Sequence, residues 1–304
     1  MLRAAQLPFS LPQRWSIALR LLFLAAVAAY LLDRLTALGW SEVSAGVPRD
    51  ASFYLLFVLI FLAVPASEWL AYGRSWATLA PAGRYWRAFP VFVRKRIFNT
   101  ALFDFSGDLM LAGRARKVFG LPLRTALETV KDNYILATST SAALAAALIA
   151  VYLATGQPAV LFRLDNTAAL SLAAGAMLLP LLWPVALVFK RNILTLSGTE
   201  ARAVVGIYGT RFVIVQFLQL LQWHLVLPDV ALQTWFGFLV VHIVLTRVPV
   251  LPAKDLLFLG AGIGLASAVG LPEAAVAGML LATSALTHLS NLALFVLTSF
   301  VTHD

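Results

Sequence analysis

The chain contains no cysteine, which removes disulfides, thiolate metal ligands and cysteine nucleophiles together. Charge is scarce as well. Only 12% of the 304 residues are Asp, Glu, Lys or Arg, against about 25% in ordinary soluble domains. His224, His242, His288 and His303 form no H-x-x-x-H or other short metal-ligand spacing, so neither a metal nor another cofactor is expected. These shortages exclude a water-soluble enzyme, a nucleic-acid-binding domain and a disordered tail as the main body. Apolar residues fill the chain instead, at 61%, with a mean hydropathy of +0.87. No stretch is polar enough to stand as a soluble domain, so 1–304 reads as one transmembrane domain.

A membrane helix needs roughly 20 mostly apolar residues to cross about 30 Å of hydrocarbon. Seven runs meet that length: Ser16–Leu38, Ala51–Tyr72, Tyr134–Ala154, Ala168–Phe189, Val204–Val226, Val230–Arg247 and Ala274–Val301. The first is too long for a signal peptide and ends in no small-residue cleavage site, so it is expected to be a retained span. Two further stretches differ in kind. Ile97–Ala115 carries Asn99, Asp104 and Asp108 between Arg94-Lys95-Arg96 and Arg114-x-Arg116-Lys117. Positive charge on both flanks predicts a re-entrant hairpin or an interfacial helix that enters and leaves on one side. Asp255–Leu271 is short, holds Gly260, Gly262, Gly264 and Gly270, and lies between Pro252 and Pro272, which predicts a broken or half-length helix. The expected fold is therefore an all-α polytopic membrane protein with seven to eight transmembrane helices and two re-entrant or broken ones.

The net charge of +9 follows the same logic, because basic residues collect in cytoplasmic loops. With the N-terminus inside, seventeen Lys and Arg up to Arg202 lie on the cytoplasmic side, against Arg34, Arg49 and Arg163 outside. The expected location is a bacterial-type inner membrane with a cytoplasmic N-terminus.

The two odd stretches share a pattern. Asp108-Leu109-x-x-x-Gly113 precedes Gly120-Leu121-Pro122 and Ala126, and Asp255-Leu256-x-x-x-Gly260 precedes Gly270-Leu271-Pro272 and Ala275. Each is followed by a long span. This predicts an internal repeat, with halves of about 1–155 and 156–304, a recurring design in transporters.

With its Ser106-Gly107-Asp108 step, Arg114, Gly120 and Glu128-x-x-Lys131-Asp132 ahead of a long span, Arg96–Ile149 resembles the membrane domain of the lysylphosphatidylglycerol synthase/flippase family. Arg247–Val296, with Pro252-Ala-Lys-Asp255, Gly260 and Gly270, is similar to that family's second half. The chain carries none of the soluble aminoacyl-transfer domain of the bifunctional members, so the resemblance implies a stand-alone lipid-translocating domain.

Charges at membrane depth cost about 2.5–3.5 kcal/mol each on insertion scales and mark pathways or paired sites. Asp104 and Asp108, four apart, share a helix face. They are expected either to coordinate a cationic group or to pair with Arg94, Arg96 or Arg114. Arg211, about two turns inside a span beginning at Val204, is the candidate phosphate-binding arginine, since its planar fork donates two bonds at once. Gln216, Gln219 and Gln222 follow on one stripe and suit interhelical hydrogen bonds, with Gln219 a candidate substrate contact. His288 and Asn291 form a polar stripe with Ser284 in the last span. Arg247, Lys254 and Asp255 are expected near the entrance of a cavity shared with Asp108. Glu68 is expected to snorkel to the headgroups, and most of the eight tryptophans to act as interfacial anchors.

Two functions fit these residues. One is a flippase for an anionic phospholipid or a polyprenyl-phosphate-linked substrate, whose only partner is membrane lipid. The other is a prenyltransferase-type membrane enzyme holding a diphosphate through Mg²⁺, with Asn99, Asp104 and Asp108 as one motif and Lys254-Asp255 as the other. The second motif offers one carboxylate where hard Mg²⁺ wants several oxygen ligands, which favours the translocator.

Overall fold

The structure, a computed structural model, describes residues 13–77, 79–80, 85–101, 105–155, 193–247 and 254–301. The described residues are helical, with no strand among them. In chain order the α-helices are α1 (Gln13–Leu38), α2 (Trp40–Ala45), α3 (Ala51–Trp76), α4 (Phe89–Ala101), α5 (Ser106–Phe119), α6 (Leu123–Ala154), α7 (Gly198–Val226), α8 (Leu232–Arg247), α9 (Lys254–Val269) and α10 (Glu273–Val301). The expected span Ala168–Phe189 lies outside the described residues.

Four helices, α3, α6, α7 and α10, are long and apolar enough to cross a bilayer, and they mark the chain as membrane-embedded. Their outer faces are apolar. Leu55, Val58, Leu59 and Leu62 on α3, and Val213, Ile214 and Phe217 on α7, are exposed, a surface that water would not favour but lipid does. The 26 residues of α1 give it comparable length.

Local chemistry sets the helix ends. Asp50 caps α3, its carboxylate accepting from the Ser52 amide at 2.8 Å, and that bond holds the carboxyl below the usual carboxylate range. Ser197 and Glu200 form a reciprocal capping box at the start of α7, satisfying amides that would otherwise lack partners. The α6 helix begins at Leu123, well before the expected Tyr134, because its polar first turns (Arg124, Glu128, Lys131, Asp132) continue the same helix.

Ile97–Ala115 is not one helix. It is divided between α4 and α5, which run antiparallel: Phe92 meets Phe119 at one end, and Asn99 meets Gly107 at the other. With 13 and 14 residues, each is about 20 Å long at 1.5 Å per residue, short of the roughly 30 Å of hydrocarbon. The α4 helix also runs antiparallel to α3, with Phe92 beside Tyr72, Lys95 beside Glu68 and Arg96 on Phe61. The hairpin therefore enters from the Trp76 end of α3, reaches the level of Phe61, and turns back.

A second antiparallel hairpin joins α8 to α9. Phe238 lies near Gly262, the His242 and Phe258 rings are 4.7 Å apart, and Lys254 Nζ donates to the Thr246 carbonyl at 3.2 Å. Val230–Arg247, expected to span, is thus a 16-residue helix of about 24 Å in a folded-back pair. Both hairpins end alike. Gly120 (φ 73°) and Gly270 (φ 72°) take the left-handed conformation, which costs glycine little. Leu121 N then bonds the Ala115 carbonyl, and Leu271 N the Ala266 carbonyl, before Pro122 and Pro272 start the long helices that follow.

The packing is reciprocal. The first hairpin's α4 packs on α10, and the second's α8 packs on α6. Between them, α3 and α7 cross antiparallel. Gln222 Nε2 donates to the Phe53 carbonyl at 3.0 Å near one end, and Ala71 packs with Val204 and Tyr208 near the other.

Cysteines placed at the exposed Arg87 and Lys117, one at each open end of the first hairpin, should react with a membrane-impermeant thiol reagent from the same side. Reaction from opposite sides would make the segment an ordinary span.

Candidate functional site

A network of charged and polar side chains joins α3, α4 and α5. Lys95 is almost fully buried and lies between two carboxylates, 2.5 Å from Glu68 Oε1 and 3.1 Å from Asp108 Oδ1. Tyr72 OH donates to Asp108 Oδ1 at 3.4 Å, and Asn99 Nδ2 donates to Oδ2 at 3.0 Å. Asn99 Oδ1 in turn accepts the Gly107 amide at 2.6 Å. One asparagine thus holds the first turn of α5 by its backbone and by its acid together.

Close approach makes this possible. A Cβ on Gly107 would sit 1.9 Å from the Lys95 carbonyl oxygen, a distance no side chain tolerates, so glycine is the residue that lets α5 seat against α4. The expected partners of Asp108, namely Arg94, Arg96 or Arg114, give way to Lys95. Glu68 likewise does not snorkel; it is the second half of Lys95's pairing. The basic triplet expected as a cytoplasmic flank is instead part of α4, with Arg94 and Lys95 buried.

Arg96 lies beside this network. Its Nη1 donates to the Phe61 carbonyl at 2.6 Å, and its guanidinium is 4.0 Å from the Phe61 ring centroid. The carbonyl is available because Pro65, four residues on within α3, has no N–H to give it. On α7, which packs along a neighbouring face of α3, Arg211 is 5.0 Å from the Tyr208 ring centroid and 3.5 Å from Ser141 Oγ, while Tyr208 OH donates to Asn133 Oδ1 at 3.2 Å. Because α7 begins at Gly198 rather than Val204, Arg211 stands midway along it, deeper than two turns from its end.

The second hairpin carries its own group. Asp255 Oδ2 accepts from Ser284 Oγ at 2.8 Å and lies 2.9 Å from His288 Nε2. His288 is near the midpoint of α10. Asp108 and Asp255 therefore have separate partners on separate helices, and no hydrogen bond or ion pair joins them among the described residues. Lys254 closes its own hairpin onto Thr246. Asn291 is buried, its Oδ1 without a hydrogen-bond partner. Gln219 donates to Gln222 at 2.9 Å, and Gln222 holds α3, so these amides serve helix packing. Asp104 and the side chain of Arg247 lie outside the described residues.

Among the described residues no three His, Asp or Glu side chains gather in metal-binding geometry. Of the residues expected to hold magnesium, Asp108 is committed to Lys95, and Asp255 stands apart. Asp132 is structural: it accepts from the amides of Thr195 and Leu196 and from the Thr195 hydroxyl, pinning the approach to α7 onto α6. Trp76, Trp223 and Trp235, expected among the interfacial anchors, are buried in the packing, whereas Trp40 and Trp86 are half exposed.

Sequence reading missed Glu68, Tyr72, Lys95 and Arg96 as site residues. A signal was present: Glu68 and Tyr72 are four apart, as are Lys95 and Asn99, so each pair shares a helix face. No protein-family model, curated protein or solved structure matches the chain.

Gly107→Ala should lower stability by about 3 kcal/mol or more through overpacking, whereas Gly113→Ala, whose Cβ meets nothing within 4 Å, should be neutral or stabilising by up to about 1 kcal/mol. Asp108→Asn, which strips Lys95 of one buried partner, should cost roughly 3 kcal/mol. Melting temperatures in detergent, compared across the three variants, check this order.

Proposed function

We propose that the protein translocates an anionic phospholipid, or a polyprenyl-phosphate-linked substrate, across a bacterial-type inner membrane, with its N-terminus cytoplasmic. The observation that carries this reading is the reciprocal arrangement of two helical hairpins, each too short to cross and each packed on the last long helix of the other unit. Two such units with opposed orientation are a design of secondary transporters, whose sites form where discontinuous helices meet. On this reading α3–α6 and α7–α10 are inverted repeats, and α3 and α7, which pack antiparallel, lie at their pseudo-two-fold axis. The matched Gly-Leu-Pro turns after α5 and α9 support the same pairing. So does the resemblance to the lysylphosphatidylglycerol synthase/flippase membrane domain. The seven to eight spans of the sequence reading belong to this proposal.

Substrate charge follows from the site. Among the described residues around the first hairpin tip and the middle of α7, Lys95, Arg96 and Arg211 outnumber two carboxylates, Glu68 and Asp108, an excess of positive charge at a depth where an unpaired cation is costly. A substrate that brings a negative headgroup relieves that cost, while its acyl or prenyl chains stay in lipid.

The test is a leaflet assay. Full-length protein in vesicles containing fluorescent phosphatidylglycerol should expose the inner-leaflet dye to an external quencher, whereas protein-free vesicles protect it. Continued protection of phosphatidylglycerol and of a labelled polyprenyl phosphate, with correctly folded protein in the bilayer, would defeat the proposal.

A further inference from the structure

Resting on the translocator reading, we infer that Arg96 and Arg211 together form a phosphate-binding site, which grips the phosphate of the lipid headgroup. The two residues come from different helices, α4 and α7, that both pack on α3, and their anchors lie about one turn apart along it. Along the antiparallel pair α3 and α7, Phe53 lies against Gln222 and Ala71 against Val204 and Tyr208. Phe61, between Phe53 and Ala71, therefore lies about one turn beyond Arg211 along α7, within reach of long side chains, and Phe61 is where Arg96 rests. Both guanidiniums are cations, so each makes the other harder to leave without an anion.

Neither guanidinium forms an ion pair among the described residues. Of the carboxylates described near them, Glu68 and Asp108 are both held by Lys95. Arg96 spends one N–H on the Phe61 carbonyl, and its Nε is buried with no hydrogen-bond partner. Arg211 has one long contact to Ser141 Oγ, at 3.5 Å, and an aromatic face. Of the ten guanidinium N–H groups, five on each arginine, most are thus uncommitted among the described residues. Two cations with unfilled donors, one in the short α4 and one midway along α7, form an arrangement completed by an anion. Phosphate suits it because its several oxygens accept from two planar forks at once. The sequence reading had Arg211 without a second arginine; Pro65 supplies Arg96 by freeing its carbonyl anchor.

The same chemistry is offered by a lipid headgroup and by free phosphate, and titration separates them. Full-length protein in neutral detergent is titrated calorimetrically with dihexanoyl phosphatidylglycerol, with dihexanoyl phosphatidylcholine, whose choline offsets the phosphate charge, and with inorganic phosphate. Wild type should bind phosphatidylglycerol saturably, and the other two about tenfold more weakly or less. Arg211→Lys, which keeps the charge and removes the fork, should weaken phosphatidylglycerol binding about tenfold or more, with an unchanged elution volume and melting temperature. Arg96→Lys should do the same; if it misfolds because the Phe61 carbonyl loses its donor, Arg211→Lys decides alone. Undiminished phosphatidylglycerol affinity in Arg211→Lys, or equal affinity for phosphatidylcholine, overturns the site. Inorganic phosphate bound as tightly as the lipid, and lost with Arg211→Lys, upholds the arginine pair as a phosphate site and overturns its assignment to lipid. Headgroup binding through the pair with no movement between leaflets leaves the site standing and removes the translocator reading.

Discussion

A charge buried among apolar helices needs a partner, and Lys95 has two. By reaching Glu68 on α3 and Asp108 on α5 from its own place on α4, it ties three helices through one ammonium. Replacing a buried pair by packed apolar groups is often no loss in stability, whereas removing one member strands the other. Once Lys95 is inside, the rest of the neighbourhood is therefore constrained: Tyr72 and Asn99 must serve Asp108, and Gly107 must remain bare so that α5 can come close. The first hairpin is held by polar contacts at its tip, and by the aromatic cluster of Tyr72, Trp76, Tyr85, Phe92 and Phe119 at its base.

The second hairpin is built differently. Trp223, Trp235, Phe238, His242 and Phe258 pack about its stem, and its ionisable pair, Asp255 with His288, is more open to the surroundings than Lys95 with Asp108. The two hairpins share an antiparallel pairing and turn chemistry but are held unequally. One carries a closed charge network beside Arg96, and the other a half-exposed acid–imidazole pair midway along a long helix.

Much of this fold was legible in the sequence, because hydrophobic length and glycine–proline punctuation are local signals. Composition alone marked a membrane chain, and both broken segments were visible from their charges and glycines. The basic triplet before Ile97 misled for a physical reason: a run of like charge normally stays in water, and only the partners brought by α3 and α5 make Lys95 affordable inside. Val230–Arg247 was apolar enough to pass for a span, and its fold-back depends on contacts with α9 that no local window contains. Arg211 was conspicuous as a charge within an apolar run. Arg96 was hidden among its neighbours, since its importance comes from a carbonyl on another helix.

Pro65 has an effect beyond its own helix. A carbonyl left bare in hydrocarbon is costly, and in α3 the missing amide hydrogen is replaced by one from Arg96. Positions 65 and 96 are thereby bound into one unit of inheritance. A lineage that lost the arginine would gain by regaining an amide at 65, and a lineage that straightened α3 would release the arginine to another rotamer. Among descendants of this chain, the two positions should change together or not at all, although they lie 31 positions apart in the sequence.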